Sequence, residues 1–247
     1  MIYKNILIDG LAFLFRGDKM REVVKIDDIT YRIEDEYVRF FLLLGEDRAA
    51  VIDTGISGEG VRNIVEKITD KPLILINTHG DGDHTSATFE FDSYYINEKD
   101  YLGCMMNEKY PDSTPQFILD GDEIDLGKRV LRIIEIPGHT RGSVAILDVN
   151  NRCLFAGDSI QAGQIFMFGD HRNPELFENS IIKLLGMIDN YDVIYPSHDM
   201  PTLTNDYVEK VLDDWISYRE GKLGYENCNV HGNMVRSYRG KVCCFFI

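Results

Sequence analysis

The amino-acid sequence predicts an α/β fold in which sheets are packed between helical layers. Short apolar strand runs recur in both halves of the chain, and amphipathic helical patterns lie between them. The chain has 247 residues, of which 44% are hydrophobic, so it is long enough to bury one large core. Because this length is short for two average domains, we expect a single domain over residues 1–247.

The first half of the chain opens with strand patterns. A nearly continuous apolar run covers 37–44, a turn follows at 45–48, and a second apolar run covers 49–53, which is typical of a β-hairpin. Apolar residues then recur at helical spacing over 61–68 and predict an amphipathic helix. Residues 72–77 form a short apolar run, and we expect a buried strand there.

The second half repeats this style. A strand is predicted over 130–136, and the runs 144–148 and 153–156 are expected to pair across the Asn150-Asn151 turn. Further elements are predicted from helical spacing, apolar runs and turn residues. They are a helix over 176–188, a strand over 193–195, a helix over 205–219 and a closing hairpin over 230–247 around Arg239-Gly240.

The composition excludes several classes of protein. Lys plus Arg number 26 and Asp plus Glu number 41, which gives a formal net charge of −15. Such a chain repels nucleic acid and acidic lipid, so neither is expected as a partner. No run reaches the roughly 18 apolar residues of a membrane helix, and residues 6–15 do not resemble a signal peptide. Five cysteines without a Cys-x-x-Cys pair indicate no disulfide framework, so we expect a cytoplasmic protein.

Histidine and aspartate side chains recur where the predicted strands end. Taken singly, each is typical of a cap or a solvated loop residue. Side chains at neighbouring strand ends converge in space, however, and imidazole and carboxylate groups are ligands for divalent metals. Their recurrence at successive strand ends therefore indicates a metal site. The residues are Asp53, His79, Asp81, Asp83, His84, His139, Asp158 and His198.

The pieces of this pattern resemble the metallo-β-lactamase superfamily, whose signature is His-x-His-x-Asp-His followed by a distant His, a Gly-Asp and a last His. They occur in the family's order between about Thr30 and Trp215. The resemblance implies a four-layer αββα sandwich with the metals at the open edge of its two sheets. Residues 1–25 lie outside the matched region, and we expect this N-terminal extension to form a strand or a dimer contact. The matching pieces are Asp53-Thr-Gly, Thr78-His-Gly-Asp-Gly-Asp-His84, Pro137-Gly-His-Thr-Arg-Gly-Ser143, Ala156-Gly-Asp158 and Pro196-Ser-His198.

The resemblance also implies two divalent metal ions and their ligands. The chain departs from the family at Asp81, which replaces the second His of the signature. The additional carboxylate makes the site harder, so the family indicates zinc while Asp81 favours iron or manganese. The implied ligands are His79, Asp81 and His139 for the first metal, Asp83, His84 and His198 for the second, and Asp158 as the bridge.

The implied activity is hydrolysis of a small molecule by a metal-bridging hydroxide, and its substrate is an ester, thioester, lactone, amide or phosphodiester. Asp83 is expected to bind metal and to accept a proton from the attacking water. Asp53 is expected to orient a ligand from behind or to cap the turn at Gly55. The loop with His171 and Arg172 is expected to contact substrate or, alternatively, to be solvated.

Two other functions remain open at this point. Asp81 also suits an iron-based redox enzyme related to flavodiiron or persulfide-oxidising proteins. The other is a non-catalytic metal-binding protein on the same fold. Against the latter, every ligand position of the signature keeps a residue able to bind metal.

Overall fold

A computed structural model describes residues 5–8, 11–16, 19–105 and 112–247. The chain divides into two units, Met1–Leu131 and Arg132–Ile247. Each unit has its own hydrophobic core, one formed by residues between Val23 and Ile96 and the other by residues between Ile134 and Phe245. The prediction of one domain over 1–247 stays a prediction.

The described part of the first unit is built on a mixed sheet of nine strands in sequential order. Strands β1 to β6 pair antiparallel and β6 to β9 pair parallel. The predicted hairpin is confirmed, since β5 and β6 pair with Phe41 opposite Ile52. The strands are β1 (Asn5–Ile8), β2 (Leu11–Arg16), β3 (Lys19–Asp27), β4 (Thr30–Asp35), β5 (Val38–Leu44), β6 (Ala49–Ile52), β7 (Leu73–Ile76), β8 (Ser93–Ile96) and β9 (Thr114–Phe117).

The segment 1–25, predicted as an extension, carries β1, β2 and most of β3. Its residues 1–4, 9–10 and 17–18 lie outside the described residues. The dimer contact expected for this segment stays a prediction.

Three short helices belong to the first unit within the described ranges: α1 (Val61–Val65), α2 (Gly82–Thr85) and α3 (Glu98–Met105). Helix α1 ends earlier than the predicted 61–68, because residues 66–68 form a turn. Val61 and Val65 are fully buried against the core that also contains Val51 and Leu75. The apolar spacing therefore marks the buried face correctly, although it overestimates the length of the helix.

The second sheet has six strands in the described residues, in the order β10-β11-β12-β13-β15-β16. The division between the units falls within β11. The predicted pairing of 144–148 with 153–156 is confirmed by β12 and β13. The strands are β10 (Glu123–Asp125), β11 (Val130–Glu135), β12 (Val144–Asp148), β13 (Cys153–Gly157), β15 (Val193–Pro196) and β16 (Leu203–Thr204).

Strands β13 and β15 are parallel neighbours, with Gly157 opposite Pro196. The residues that follow these two strands therefore emerge at the same edge of the sheet. Helices α4 (Pro174–Leu185) and α5 (Tyr207–Arg219) complete this unit together with the C-terminal strands. The two helices pack through Phe177 and Trp215, whose rings meet edge to face at 4.9 Å.

A third sheet of four strands, counted over the described residues, ends the chain in the order β14-β19-β18-β17. The strands are β14 (Gln164–Phe166), β17 (Tyr225–Val230), β18 (Asn233–Arg239) and β19 (Cys244–Phe246). The predicted hairpin around Arg239-Gly240 is present between β18 and β19. An additional strand, β17, precedes this hairpin and pairs antiparallel with β18. His231 and Gly232 have φ of 50° and 85°, so they form a tight left-handed turn, which histidine does not usually mark in a sequence.

None of the helices in the described residues combines the length and apolarity needed to cross a membrane.

Candidate functional site

Two neighbouring parallel strands of the first unit deliver the first group of predicted site residues. Asp53 directly follows β6, and Thr78 and His79 follow β7. The backbone N–H of Asp53 donates to the Ile76 carbonyl at 3.0 Å, which ties the two strand ends to each other. We call this group the Asp53 cluster. It consists of Asp53, Thr78, His79, Asp81, Asp83 and His84.

Helix α2 places the remaining members of the Asp53 cluster. It is a single turn that starts after Asp81, whose carbonyl accepts the His84 N–H at 3.0 Å. The His84 carbonyl in turn accepts the Thr54 N–H at 2.7 Å. His79 Nε2 lies 3.6 Å from Asp81 Oδ2, and His84 Nε2 lies 3.8 Å from Asp83 Oδ2. Two buried imidazoles and two partly exposed carboxylates therefore meet in one place.

Asp53 connects both imidazoles through one hydrogen-bond network. Its carboxylate is 1% exposed, and Oδ1 accepts the Thr78 backbone N–H at 2.7 Å. Oδ2 accepts the Thr78 hydroxyl at 2.7 Å and lies 2.9 Å from His84 Nδ1. The same hydroxyl oxygen lies 3.0 Å from His79 Nδ1.

This network determines which ring nitrogens carry protons. A carboxylate only accepts, so His84 Nδ1 donates to Asp53. The Thr78 hydroxyl donates its single proton to Asp53, so it accepts from His79 Nδ1. In the neutral rings, both Nε2 atoms therefore carry the lone pair, which is the form of imidazole that binds a metal.

No sequence pattern identifies Asp100, which fixes the loop between His79 and Asp81. It lies on α3, is 5% exposed, and accepts the Gly80 N–H at 3.0 Å. A Cβ atom at Gly80 would come within 2.8 Å of the Asp100 carbonyl oxygen, so the close approach requires glycine. Asp100 is thus a positioning residue for this loop.

The second unit brings together the other predicted ligands, which we call the Asp158 cluster. It consists of His139, Asp158 and His198. Asp158 follows β13 and His198 follows the end of β15, and the Ser197 N–H donates to the Gly157 carbonyl at 3.1 Å. Asp158 Oδ2 lies 3.2 Å from His198 Nε2 and 3.6 Å from His139 Nε2. One nearly buried carboxylate oxygen therefore faces two imidazole nitrogens.

The backbone orients His139. Its Nδ1 lies 2.9 Å from the Phe166 carbonyl oxygen, which only accepts, so Nδ1 donates. Nε2 of the neutral ring therefore carries the lone pair on the side of Asp158. The turn that carries His139 is closed by the Gly138 N–H, which donates to the Thr140 carbonyl at 2.8 Å. Thr140 N–H also donates to Ser143 Oγ at 3.0 Å.

The two predicted substrate contacts lie in the loop between β14 and α4. His171 is exposed and Arg172 is half-buried. The His171 carbonyl accepts the Arg141 N–H at 3.0 Å, and the Asn173 N–H donates to the Gly138 carbonyl at 2.7 Å. This loop is therefore attached to the turn that carries His139.

The donor atoms of the two clusters fit divalent metals of borderline to hard character. Each cluster offers two imidazole Nε2 atoms and at least one carboxylate, and neither contains a cysteine. In each cluster a partner on Nδ1 sets the proton position of a ring: Asp53 and Thr78 in the first, and the Phe166 carbonyl in the second. This arrangement is typical of metal-binding histidines.

Comparisons with known proteins give one family. A family model described as "Metallo-beta-lactamase superfamily" matches residues 34–224. Acyl-coenzyme A thioesterase MBLAC2 from Homo sapiens is 23% identical over 199 residues, covering 64% of this chain and 71% of the relative. Hydroxyacylglutathione hydrolase from Rippkaea orientalis is 29% identical over 168 residues, covering 64% of this chain and 62% of the relative.

A solved structure shows the same fold. The metallo-beta-lactamase from Pontibacter korlensis has a TM-score of 0.68 at 19% sequence identity, covering 79% of this chain and 99% of that structure. This likeness confirms the metallo-β-lactamase fold that the sequence resemblance implies. It carries no information about substrate at this level of identity.

Proposed function

Because the chain belongs to the metallo-beta-lactamase superfamily and is a metal-dependent hydrolase, we propose that it hydrolyses a thioester with two metal ions. In this proposal His79, Asp81 and His139 would hold the first metal. Asp83, His84 and His198 would hold the second, and Asp158 would be a ligand to both.

The orientation of the imidazoles carries this proposal. A metal ligand needs its lone pair on the nitrogen that faces the ion, and the partners on Nδ1 set this in His79, His84 and His139. A structural histidine needs no such arrangement. The carboxylate of Asp53 supports a positioning role behind His79 and His84 rather than a cap at Gly55, because its hydrogen bonds go to Thr78 and His84.

The bound metals would supply a water nucleophile at neutral pH and polarise the scissile carbonyl. Zinc is the metal proposed here. Asp83 is partly exposed and accepts the proton released by the attacking water. His171 and Arg172, on the loop joined to the His139 turn, contact the substrate.

Two observations favour a thioester among the predicted substrates. The relatives include a protein named acyl-coenzyme A thioesterase and others named hydroxyacylglutathione hydrolase. Their names describe acyl groups carried on two different thiols, so the shared chemistry is cleavage of the acyl–sulfur bond. Nothing in the Asp53 or Asp158 cluster requires a redox reaction, although iron in place of zinc would reopen that alternative.

Metal analysis and turnover test the proposal together. Protein purified without added metal is expected to hold about two equivalents of zinc by elemental analysis. It is also expected to hydrolyse acyl thioesters, which is measured as the loss of the ultraviolet absorbance of the thioester. Asp158→Ala is expected to reduce turnover by more than about 100-fold, beyond the range typical of residues behind the ligands. Asp192→Ala is the matched control, because it removes an exposed aspartate of the same unit that pairs with Arg152.

The proposal is wrong if Asp158→Ala keeps more than about a tenth of wild-type turnover, or if the protein holds one equivalent of metal or less when activity is saturated. Turnover of oxygen or nitric oxide by iron-loaded protein, with no thioester activity under any metal, would favour the redox alternative.

A further inference from the structure

Two loops of the second unit are joined beside His139. The first covers residues 137–143 and the second covers 166–173. Three hydrogen bonds connect them: His139 Nδ1 to the Phe166 carbonyl at 2.9 Å, Arg141 N–H to the His171 carbonyl at 3.0 Å, and Asn173 N–H to the Gly138 carbonyl at 2.7 Å. The backbones of Arg141 and His171 are therefore in direct contact.

These joined loops carry two arginines and an exposed histidine in an otherwise acidic chain. Arg141 is exposed, His171 is exposed and Arg172 is half-buried. The only acid in the sequences 137–143 and 166–173 is Asp170. The protein as a whole carries a formal charge of −15, which repels any anionic molecule that approaches it. The two guanidinium groups of Arg141 and Arg172 lie close in sequence to this predicted metal ligand or on the loop joined to it, and they attract an anionic group against the overall repulsion.

The loops are also held firmly. A Cβ atom at Gly138 would lie 2.6 Å from the Phe177 Cα, so the His139 turn sits directly against helix α4. Asn173 accepts the Leu176 N–H with its side chain and thereby caps the same helix. Each loop is therefore anchored on α4, the first at Gly138 and the second at Asn173. The backbone that carries Arg141 and Arg172 is thus fixed before any ligand arrives.

We propose that Arg141, with His171 and Arg172, binds an anionic group on the thiol portion of the substrate, either a phosphate or a carboxylate. This rests on the proposed thioesterase function. A guanidinium group presents two parallel N–H donors that match the oxygens of either anion. Arg141 lies two residues from His139, and the hydrogen bond from its N–H to the His171 carbonyl holds its backbone on the loop joined to the His139 turn, so an anion bound there lies close to this predicted metal ligand. The substrates are therefore acylated anionic thiols rather than neutral thioesters.

The test compares three thioesters that carry the same acyl group. One is built on coenzyme A, whose charges are phosphates; one on glutathione, whose charges are carboxylates; and one on N-acetylcysteamine, which is neutral. The measured quantity is kcat/KM for each anionic thioester divided by that for the neutral one. Arg141→Gln and Arg172→Gln are expected to reduce this ratio about 10- to 100-fold, through KM, as expected for loss of a charged hydrogen bond. Arg152→Gln is the matched control, because Arg152 is an arginine of the same unit that pairs with Asp192.

A binding measurement separates this inference from the proposed function. Titration calorimetry of metal-loaded protein with free coenzyme A and with free glutathione is expected to show binding of at least one thiol, which Arg141→Glu abolishes. If the wild-type protein hydrolyses no thioester but binds such a thiol through Arg141, the proposed function fails and the inference stands. Unchanged substrate ratios in both glutamine variants overturn the inference, and so does the absence of thiol binding by the wild-type protein. The thiol that binds, or binds more tightly, identifies phosphate or carboxylate as the recognised group.

Discussion

Replacement of one carboxylate oxygen of Asp53 by nitrogen is expected to move the ring protons of two proposed metal ligands, His79 and His84, from Nδ1 to Nε2. In Asp53→Asn, the amide oxygen must face the Thr78 backbone N–H, which only donates. The amide NH₂ group then faces the Thr78 hydroxyl and His84 Nδ1, which lie 2.7 and 2.9 Å from the present carboxylate oxygen. His84 Nδ1 must accept, so its proton moves to Nε2. The Thr78 hydroxyl then donates to His79 Nδ1, and that ring changes in the same way.

The expected cost falls on metal binding and not on folding. Replacement of a group behind one metal ligand typically weakens metal affinity 10- to 100-fold, about 1.4–2.7 kcal/mol. Because two rings change, we expect the upper end, about 100-fold. The backbone of residue 53 has φ of 62°, which asparagine tolerates well, so the melting temperature of the metal-free variant should remain close to that of wild type.

Two measurements check this expectation. Zinc affinity is obtained by competition with a fluorescent chelator, and nitrogen-15 NMR of the histidine rings in metal-free protein reports which nitrogen is protonated. Asp148→Asn is the matched control, because Asp148 is also fully buried and its carboxylate accepts hydrogen bonds from the backbone N–H and the side-chain amide of Asn151. The reasoning is refuted if Asp53→Asn binds zinc within about threefold of wild type, or if His84 keeps its proton on Nδ1.

Three further predictions concern residues outside the predicted ligand set. Asp100→Ala is expected to weaken zinc affinity about 10-fold by releasing the Gly80 N–H, whereas Asp100→Asn keeps an acceptor and should restore it, as chelator competition will show. Gly138→Ala is expected to destabilise the protein by about 1–3 kcal/mol in denaturant unfolding, because the new methyl group would overlap the Phe177 backbone. Burial alone would raise the pKa of Asp35, but Arg21 and Ser57 outweigh it and hold that pKa below its ordinary value. The ionised Asp35 carboxylate therefore contributes to the free energy of unfolding above a pH of about 4, and this contribution is lost as the pH falls further. The melting temperature of Asp35→Asn should consequently fall less steeply with decreasing pH than that of wild type.

The sequence could predict that the candidate ligands lie at strand ends, because the signal is local. Each ligand follows an apolar run, and strand ends are readable from composition and periodicity. Asp158 and His198 show the strength of this reasoning, since β13 and β15 are separated by a helix in the chain but lie side by side in the sheet. The hairpins formed by β5 with β6 and by β12 with β13 were readable for the same reason.

The groups that orient the ligands could not be read in this way. Asp100 lies on α3, 20 residues after the glycine that it holds, and no periodicity links the two. The partner of His139 is the backbone carbonyl of Phe166, and every residue has such a carbonyl. Identifying these contacts requires the path of the chain in space.

The main-chain carbonyl of Asp81 accepts the backbone N–H groups of His84 and Thr85. Its carbonyl closes the turn of α2, its side chain does not cap that helix, and the bonds that set His79 and His84 end on Asp53. The orientation of the two imidazoles therefore does not depend on which metal-binding side chain stands at position 81. An ancestor or a descendant of this protein could exchange the acid at this position for an imidazole and acquire a different ion without rebuilding its scaffold.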